Sequence, residues 1–249
     1  NVEEINNIQN LIKNHLKSKY NIKSLKNYHK YIKTQEDHIS LTYNLTKKLH
    51  KTRNIFKLIK SEQYFLQELL GPNILIQTNP HLRISRPNLN ADHIGLHRDT
   101  FLGPTSEFMN IWFPIIPLNK QTGLVVQPKS HCIPSKNIEE VSDNHKTLKN
   151  VDKGSKAHSI GFLYKNKTDE SIRSLKEDSL KLISAPFGSY IIFFGCMIHK
   201  AQTKGDKTRF SVDLRVVPSG INSLVRDEYL EEYSSGIIEC VSKRFNEKV

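Results

Sequence analysis

The segment from Arg209 to Val216, RFSVDLRV, alternates polar and apolar side chains without a break. Successive side chains of a β-strand point to opposite faces, so this pattern predicts a strand with one apolar and one polar face. The polar face carries Arg209, Ser211, Asp213 and Arg215. Two arginines and an aspartate on one face are typical of a barrel strand whose interior holds a charged group. This strand is the strongest restriction that the sequence places on the fold.

The first 70 residues predict helices that pack on the outside of such a core. Apolar side chains recur at three- and four-residue steps along the first of them: Val2, Ile5, Ile8, Leu11, Ile12 and Leu16. A second helix is predicted over residues 39–49 and a third over residues 55–70, which ends at the helix-stopping pair Gly71-Pro72.

Residues 71–217 are predicted to form the β core. Short runs rich in β-branched and aromatic residues, such as ILIQT, GLVVQP and GSYIIFFG, are separated by Pro, Gly, Asn and Asp. Within this block, residues 136–180 are polar and predict a long insertion or lid, and after it residues 218–249 predict a helical tail. About eight short strands flanked by helices favour an antiparallel barrel or sandwich in a single domain spanning residues 1–249.

The chain is strongly basic, with 37 Lys and Arg against 25 Asp and Glu and a net charge of +12. Residues 1–70 hold 13 basic and 6 acidic side chains, so the predicted helices carry the larger share of the excess charge. The sequence has no Arg-rich tract and no zinc-finger spacing, and a nucleic-acid partner is therefore not favoured.

The longest apolar run, residues 191–198, is too short to cross a bilayer, and we expect no membrane span. The N-terminus shows no charged-then-apolar leader. The three cysteines, Cys132, Cys196 and Cys240, are widely spaced and odd in number, which fits a reducing compartment. These features predict a cytoplasmic protein, and they indicate nothing about its oligomeric state.

The candidate metal site begins with His97-Arg98-Asp99, the single His-x-Asp/Glu sequence among the 11 histidines of the chain. On a strand, residues 97 and 99 share a face, so an imidazole and a carboxylate can reach the same point. His199 is predicted at the far end of an almost wholly apolar strand, where a histidine is either a buried core residue or a ligand. Two histidines and one carboxylate form the facial triad of non-haem Fe(II) oxygenases.

The order of these residues resembles the Fe(II)/2-oxoglutarate-dependent oxygenases, and in particular their phytanoyl-CoA hydroxylase-like branch. The resemblance rests on His-x-Asp, a distant histidine, and Arg209-x-Ser211 ten residues after it. The run GLVVQPKSH is also similar to that branch, with Lys129 where the family usually has glycine. Together these features cover roughly residues 73–217.

This resemblance implies a double-stranded β-helix, the jelly-roll or cupin-like barrel, as a mainly β core with flanking helices. It implies that His97, Asp99 and His199 bind Fe(II), and that Arg209 and Ser211 hold the distal carboxylate of 2-oxoglutarate. O2 would be the oxidant. Because a carboxylate is present at position 99, the resemblance favours hydroxylation over halogenation.

Four further residues are candidates for lining the pocket. Asn110 and Trp112 lie on the same face of the strand that follows the triad. Asn110 is predicted to bind 2-oxoglutarate, with a buried, hydrogen-bonded Asn as the equal alternative. Trp112 is a candidate for contacting substrate, although packing in the core is the favoured explanation for it. Arg83 and Arg215 are predicted to bind an anionic group of the substrate, and a surface or interior ion pair is the alternative for each.

The sequence thus predicts an oxygenase that oxidises a small polar or anionic metabolite, carbohydrate or amino-acid derived, in a biosynthetic pathway. Hydroxylation is the default outcome, with ring closure or desaturation open to the same chemistry. Two alternatives stay open: a cupin-type barrel that binds metal without catalysis, and an oxygenase that acts on nucleic acid.

Overall fold

The computed structural model describes residues 2–101, 107–141, 151–163, 165–220 and 228–234. Its helices are α1 (Val2–Tyr20), α2 (Tyr28–Tyr31), α3 (Gln35–Thr52), α4 (Asn54–Lys60), α5 (Gln63–Leu70), α6 (Lys156–Ser159) and α7 (Glu170–Arg173). Its strands are β1 (Ile74–Gln77), β2 (His81–Ser85), β3 (Met109–Pro114), β4 (Gly123–Val126), β5 (Glu139–Glu140), β6 (Lys167–Thr168), β7 (Lys181–Ile183), β8 (Ile191–Phe194), β9 (His199–Gln202), β10 (Arg209–Pro218) and β11 (Leu230–Ser234).

The N-terminal helices form because their apolar residues fall on one face. On α1 that face buries Ile5, Ile8, Ile12 and Leu16, while Val2 stays exposed. The predicted second helix is longer than 39–49, since α3 begins after Thr34, whose side chain accepts a hydrogen bond from the Asp37 amide. Residues 55–70 form two helices, α4 and α5, instead of one.

The main sheet is antiparallel and is built around β10. Its strand order is β11-β1-β10-β3-β8, and β2 pairs with the first half of β10 while β1 pairs with the second half. Four apolar residues of β10, Phe210, Val212, Leu214 and Val216, are fully buried in the same core as the N-terminal helices. The alternation predicted for this strand is confirmed.

A smaller antiparallel sheet, β7-β4-β9, holds the second histidine. The prediction that His199 ends an apolar strand is wrong in detail: β8 stops at Phe194, and His199 opens β9. His199 also forms an isolated β-bridge with His97, with backbone hydrogen bonds of 3.0 and 3.1 Å in the two directions. This bridge ties the first half of the metal-site motif to the smaller sheet.

The insertion and the tail differ in part from their predictions. The described part of residues 136–180 contains the strand pair β5–β6 and the short helices α6 and α7. Residues 230–234 were predicted to be helical but form β11, which pairs with β1 at the edge of the main sheet. The rest of the tail, including Cys240, lies outside the described residues, and the single-domain division stays a prediction.

The mixed α/β arrangement thus places antiparallel sheets against a layer of N-terminal helices. Among the described helices, none combines the length and apolar character that crossing a membrane requires.

Candidate functional site

The candidate metal centre consists of His97, Asp99 and His199, which converge although the sequence separates them widely. One ligand atom of each side chain lies within 4.8 Å of the other two. His97 Nε2 is 3.2 Å, and His199 Nε2 is 4.0 Å, from the same Asp99 Oδ1. The strand geometry predicted for residues 97–99 is wrong, because Asp99 begins a 3-10 turn, Asp99–Phe101, directly after the bridge at His97.

Hydrogen bonds orient both imidazole rings toward Asp99. His97 Nδ1 lies 2.8 Å from the carbonyl oxygen of Gly95, and His199 Nδ1 lies 2.9 Å from that of Met197. A carbonyl oxygen only accepts, so each Nδ1 carries the proton of its bond and Nε2 is left as the ligand atom. Burial, and next the neighbouring His97, lowers the pKa of His199 to about 4. The lone pairs of both Nε2 atoms and of the Asp99 carboxylate therefore point at one place, and a cation bound there would stabilise this arrangement.

The outer oxygen of Asp99 is held by two predicted pocket residues. Asn110 Nδ2 donates to Asp99 Oδ2 at 2.8 Å and Arg215 Nη2 at 3.1 Å. Both reach it because Asn110 and Arg215 are register partners on β3 and β10. Burial alone would raise the pKa of Asp99, but Arg215 and the two histidines hold it well below its usual range. The predicted roles of Asn110 in 2-oxoglutarate binding and of Arg215 in substrate binding remain predictions beside these contacts.

A small inner cavity of about 70 Å³ runs from the triad to Arg209. Arg209 is 2% exposed, and its Nη2 donates to Ser85 Oγ at 2.6 Å. Its Nε and Nη1 have no hydrogen-bond partner among the residues that the structure describes. Burial, and next Arg83, lowers the pKa of Arg209 to about 10, which leaves the guanidinium charged at neutral pH. A buried charge with two unused donors is costly unless an anion pairs with it.

Trp112 lies near this guanidinium, and Ser211 follows Arg209 on the same face of β10 without lining the inner cavity. Ser211 is fully buried on the same face of β10, and its hydroxyl has no partner within the described part of the chain. Trp112 lines the inner cavity, with its ring centroid 5.8 Å from Arg209 Cζ. Trp112 was predicted to contact substrate, and the structure places it beside the arginine predicted to bind 2-oxoglutarate.

His93 and Ser85 are cavity residues that the sequence did not indicate as part of the site. Both line the inner cavity. His93 Nδ1 is buried with no partner among the described atoms, and burial, followed by Arg209, lowers the pKa of His93 to about 4. His93 sits four residues before His97, a spacing that would signal paired ligands only on a helix. Residues 93–96 form no regular helix or strand.

A larger outer cavity of about 740 Å³ lies on the other side of the triad. His97 and Asp99 line both cavities, so the candidate metal centre is at their junction. Helix α3, residues 153–163 and Tyr229 form parts of the outer wall. A volume of this size is typical of sites for small molecules.

Arg83, predicted to bind substrate, also lines both cavities, but its guanidinium is already engaged. Arg83 Nη2 lies 3.1 Å from Asp213 Oδ2, and Arg83 Nη1 donates to the carbonyl oxygen of Ile160 at 2.9 Å. The second bond fixes the backbone of Ile160, which lines both cavities. The backbone of Gly161 packs so closely that a Cβ there would lie 2.7 Å from the Arg83 guanidinium.

Gly195 positions the loop that carries Asp99. Its carbonyl oxygen accepts a hydrogen bond from the Asp99 amide at 2.9 Å, and its own amide donates to Phe108 O at 3.0 Å. A Cβ at Gly195 would lie 2.2 Å from the Phe108 ring. We expect Gly195→Ala to lower the free energy of unfolding by about 1–3 kcal/mol, the range for overpacking, and to weaken Fe(II) binding, both measurable by denaturant titration and metal titration.

Gly95→Ala is the matched control for this substitution. A Cβ at Gly95 meets no atom within 4 Å, and its backbone does not adopt a positive φ. Its carbonyl oxygen, which orients His97, is retained. If Gly195→Ala kept wild-type stability and metal affinity, the loop would tolerate a Cβ against the Phe108 ring. The close packing of Gly195 on Phe108 would then not be what positions Asp99.

Comparison with known proteins bears on the fold. No protein-family model and no curated protein sequence matches the chain. A solved structure of the non-heme monooxygenase ThoJ in its apo form aligns with 95% of this chain and 77% of that chain, at a TM-score of 0.57 and 11% sequence identity. The nickel complex of ThoJ aligns over the same shares, at a TM-score of 0.52 and 11% identity. The chain therefore shares the overall fold of a non-heme monooxygenase.

Proposed function

We propose that this chain is an Fe(II)/2-oxoglutarate-dependent oxygenase built on a closed jelly-roll core. The observation that carries the proposal is the inner cavity, which joins the His97–Asp99–His199 cluster to a buried, incompletely paired Arg209. A dicarboxylate that spans this cavity would bind the metal at one end and the guanidinium at the other. The fold shared with a non-heme monooxygenase supports the same assignment.

The residues present fit Fe(II). Two imidazole nitrogens and one carboxylate oxygen are the donor set of non-haem Fe(II) oxygenases, which keep positions open for other ligands. His97 and His199 present Nε2 because carbonyl oxygens fix their Nδ1 protons. Arg215 helps to keep the Asp99 carboxylate ionised, and Arg215 and Asn110 orient it, as outer partners of metal ligands commonly do.

When bound, the iron would supply O2 activation coupled to oxidative decarboxylation of 2-oxoglutarate to succinate and CO2. The chain itself does the positioning. Arg209 would pair with the distal carboxylate of 2-oxoglutarate through its two free donors, with the Ser211 hydroxyl beside it. Trp112 and Phe193 supply apolar wall to the inner cavity. Since the outer cavity adjoins the same Asp99 and His97, a substrate held there lies next to the metal.

The volume of the outer cavity suits a small polar metabolite, such as a carbohydrate or amino-acid derivative of a biosynthetic pathway, with hydroxylation as the default outcome. We propose that the protein works in the cytoplasm. Ring closure or desaturation would need only a different placement of the reacting C–H bond.

The decisive experiment is anaerobic addition of Fe(II) and 2-oxoglutarate to the full chain, followed by absorption spectroscopy and, after O2 is admitted, succinate analysis. We expect a metal-to-ligand charge-transfer band and then succinate. A chain that binds Fe(II) but gives neither band nor succinate would instead be a metal-binding barrel without oxygenase chemistry. Release of the chain from RNA or DNA only at high salt would redirect the substrate search to nucleic acid.

Arg209→Met tests the co-substrate end of the cavity. Removing a buried charge from its carboxylate partner typically costs about 2–5 kcal/mol, so the apparent affinity for 2-oxoglutarate should fall at least about thirtyfold while Fe(II) affinity holds. Arg209→Lys should give a smaller loss, because lysine keeps the charge but not the two-pronged geometry. Wild-type affinity for 2-oxoglutarate in the Met variant would remove Arg209 from the co-substrate site.

A further inference from the structure

The outer cavity carries an excess of positive charge that the proposed metal and co-substrate do not use. Six described lining residues are permanent cations: Lys47, Arg83, Arg98, Lys153, Lys167 and Arg215. Two described lining residues are carboxylates, Asp99 and Glu228. The described lining residues therefore carry an excess of positive charge, and the cavity is open to solvent where Lys47 and Lys153 are exposed.

The three arginines already have carboxylate partners. Arg83 pairs with Asp213, Arg98 with Asp169 and Arg215 with Asp99. The lysines differ. Within the described residues, Lys47, Lys153 and Lys167 form no ion pair. Among the described residues that line the cavity, these three ammonium groups are the cations without a carboxylate partner.

The lysines come from separate elements, so their meeting in one cavity is a product of the fold. Lys47 lies on α3, Lys153 precedes α6, and Lys167 lies on β6. The α3 residues that line the cavity, Tyr43, Thr46, Lys47 and His50, follow the spacing of one helix face. Lys47 Nζ lies 4.5 Å from the centroid of the Tyr43 ring, which fixes its charge beside an aromatic surface.

Two histidines of the cavity, His50 and His81, are a poorer source of charge. His50 Nε2 is 2.8 Å from the carbonyl oxygen of Pro80, and burial lowers the pKa of His50. Burial, and next Arg83, lowers the pKa of His81 to about 3. Neutral rings of this kind donate hydrogen bonds but do not repel or attract charge, so the lysines decide the sign of the potential.

We propose that the outer cavity binds a small molecule that carries a phosphate or carboxylate group, with Lys47, Lys153 and Lys167 holding the anion and the aromatic side chains of the same cavity contacting its body. A cavity lined by charges of one sign attracts ligands of the opposite sign, which favours an anionic ligand. As the substrate site of an oxygenase, this assignment rests on the proposed function. Tyr43, Phe101, Phe162 and Tyr229 supply the aromatic contacts.

Phenyl phosphate is a suitable probe, with phenylacetate as the carboxylate and benzyl alcohol as the uncharged comparator. Binding to the full chain is measured by calorimetry under anaerobic conditions with Fe(II) and saturating 2-oxoglutarate, so that the inner cavity is filled. We expect phenyl phosphate or phenylacetate to bind and benzyl alcohol to bind at least about tenfold more weakly. The double variant Lys47→Met, Lys167→Met should lose at least about tenfold in affinity for the anionic probe, since hydrogen bonds to charged groups are the strong ones.

Lys13→Met, Lys17→Met is the matched control, because both lysines are exposed on α1 and belong to neither cavity wall. It should bind the probe as the wild type does. Absence of anionic-probe binding to the wild type, equal binding of benzyl alcohol, or unchanged affinity in the Lys47/Lys167 variant would each overturn the anion site. If the wild type binds the probe through these lysines but gives no charge-transfer band, the anion site stands and the proposed oxygenase function falls.

Discussion

Asp99→Asn is expected to lower Fe(II) affinity by more than about a hundredfold and to abolish succinate formation. The amide has nearly the shape of the carboxylate but lacks its charge, and it would leave Arg215 without its anionic partner. The loss should exceed the 10–100-fold effect typical of residues that only orient a ligand. Anaerobic Fe(II) titration and succinate analysis measure the two quantities separately.

Asn110→Ala shows how much Fe(II) affinity is lost when a residue that only orients Asp99 is removed. It removes one hydrogen bond of 2.8 Å to Asp99 Oδ2 and keeps the charge at the metal centre. A loss within the 10–100-fold range would mark Asn110 as a positioning residue. If Asp99→Asn bound Fe(II) as tightly as Asn110→Ala does, the carboxylate would not be a metal ligand and the triad would have to be reassigned.

Arg98→Met is expected to lower the free energy of unfolding by about 3–5 kcal/mol, the typical cost of breaking a buried ion pair from one side. Arg98 is 2% exposed, and its Nε lies 3.3 Å from Asp169 Oδ2, which is itself buried. Its Nη1 donates to Ser130 O at 2.8 Å, and its Nη2 donates to Ile133 O and Ser171 Oγ at 2.9 Å each. One guanidinium therefore joins the metal-site motif to the insertion.

Arg173→Met is the surface counterpart, since Arg173 and Glu139 form an ion pair of 2.6 Å whose side chains are 45% and 61% exposed. Exposed pairs contribute about 0–1 kcal/mol, so this variant should unfold almost as the wild type does. Denaturant titration of both variants measures the difference. Equal stability of Arg98→Met and Arg173→Met would mean that the insertion does not depend on the buried pair.

The sequence predicted the parts of this molecule that depend on local periodicity. The alternation along β10 required only a two-residue period, and the structure buries Phe210 and its apolar neighbours as expected. That His97 and His199 lie together was predicted from the order of the motifs. Strand geometry did not predict it, because an isolated β-bridge brings the two histidines together and a 3-10 turn then places Asp99 beside them. Local patterns do not encode such a bridge.

Contacts between strands that are distant in the chain could not be predicted from the sequence. Asn110 and Arg215 were placed near the site, yet their shared partner, Asp99 Oδ2, follows from the register of β3 against β10. Residues 230–234 were read as helix because Leu230, Glu231 and Glu232 suit either structure. Pairing with β1 decides for the strand, and a single sequence does not show that pairing.

Because α3 forms a wall of the outer cavity, the side chains that contact a ligand there can change independently of the side chains that bind the metal. The candidate metal ligands lie at the edge of the smaller sheet and in the turn that follows its bridge, whereas Tyr43, Thr46 and Lys47 project from a helix in the N-terminal layer. Side chains on that helix face can be exchanged without altering the bonds that orient His97, Asp99 or His199. Helix α3 is thus the natural place to redesign which molecule the cavity accepts while the metal centre is kept.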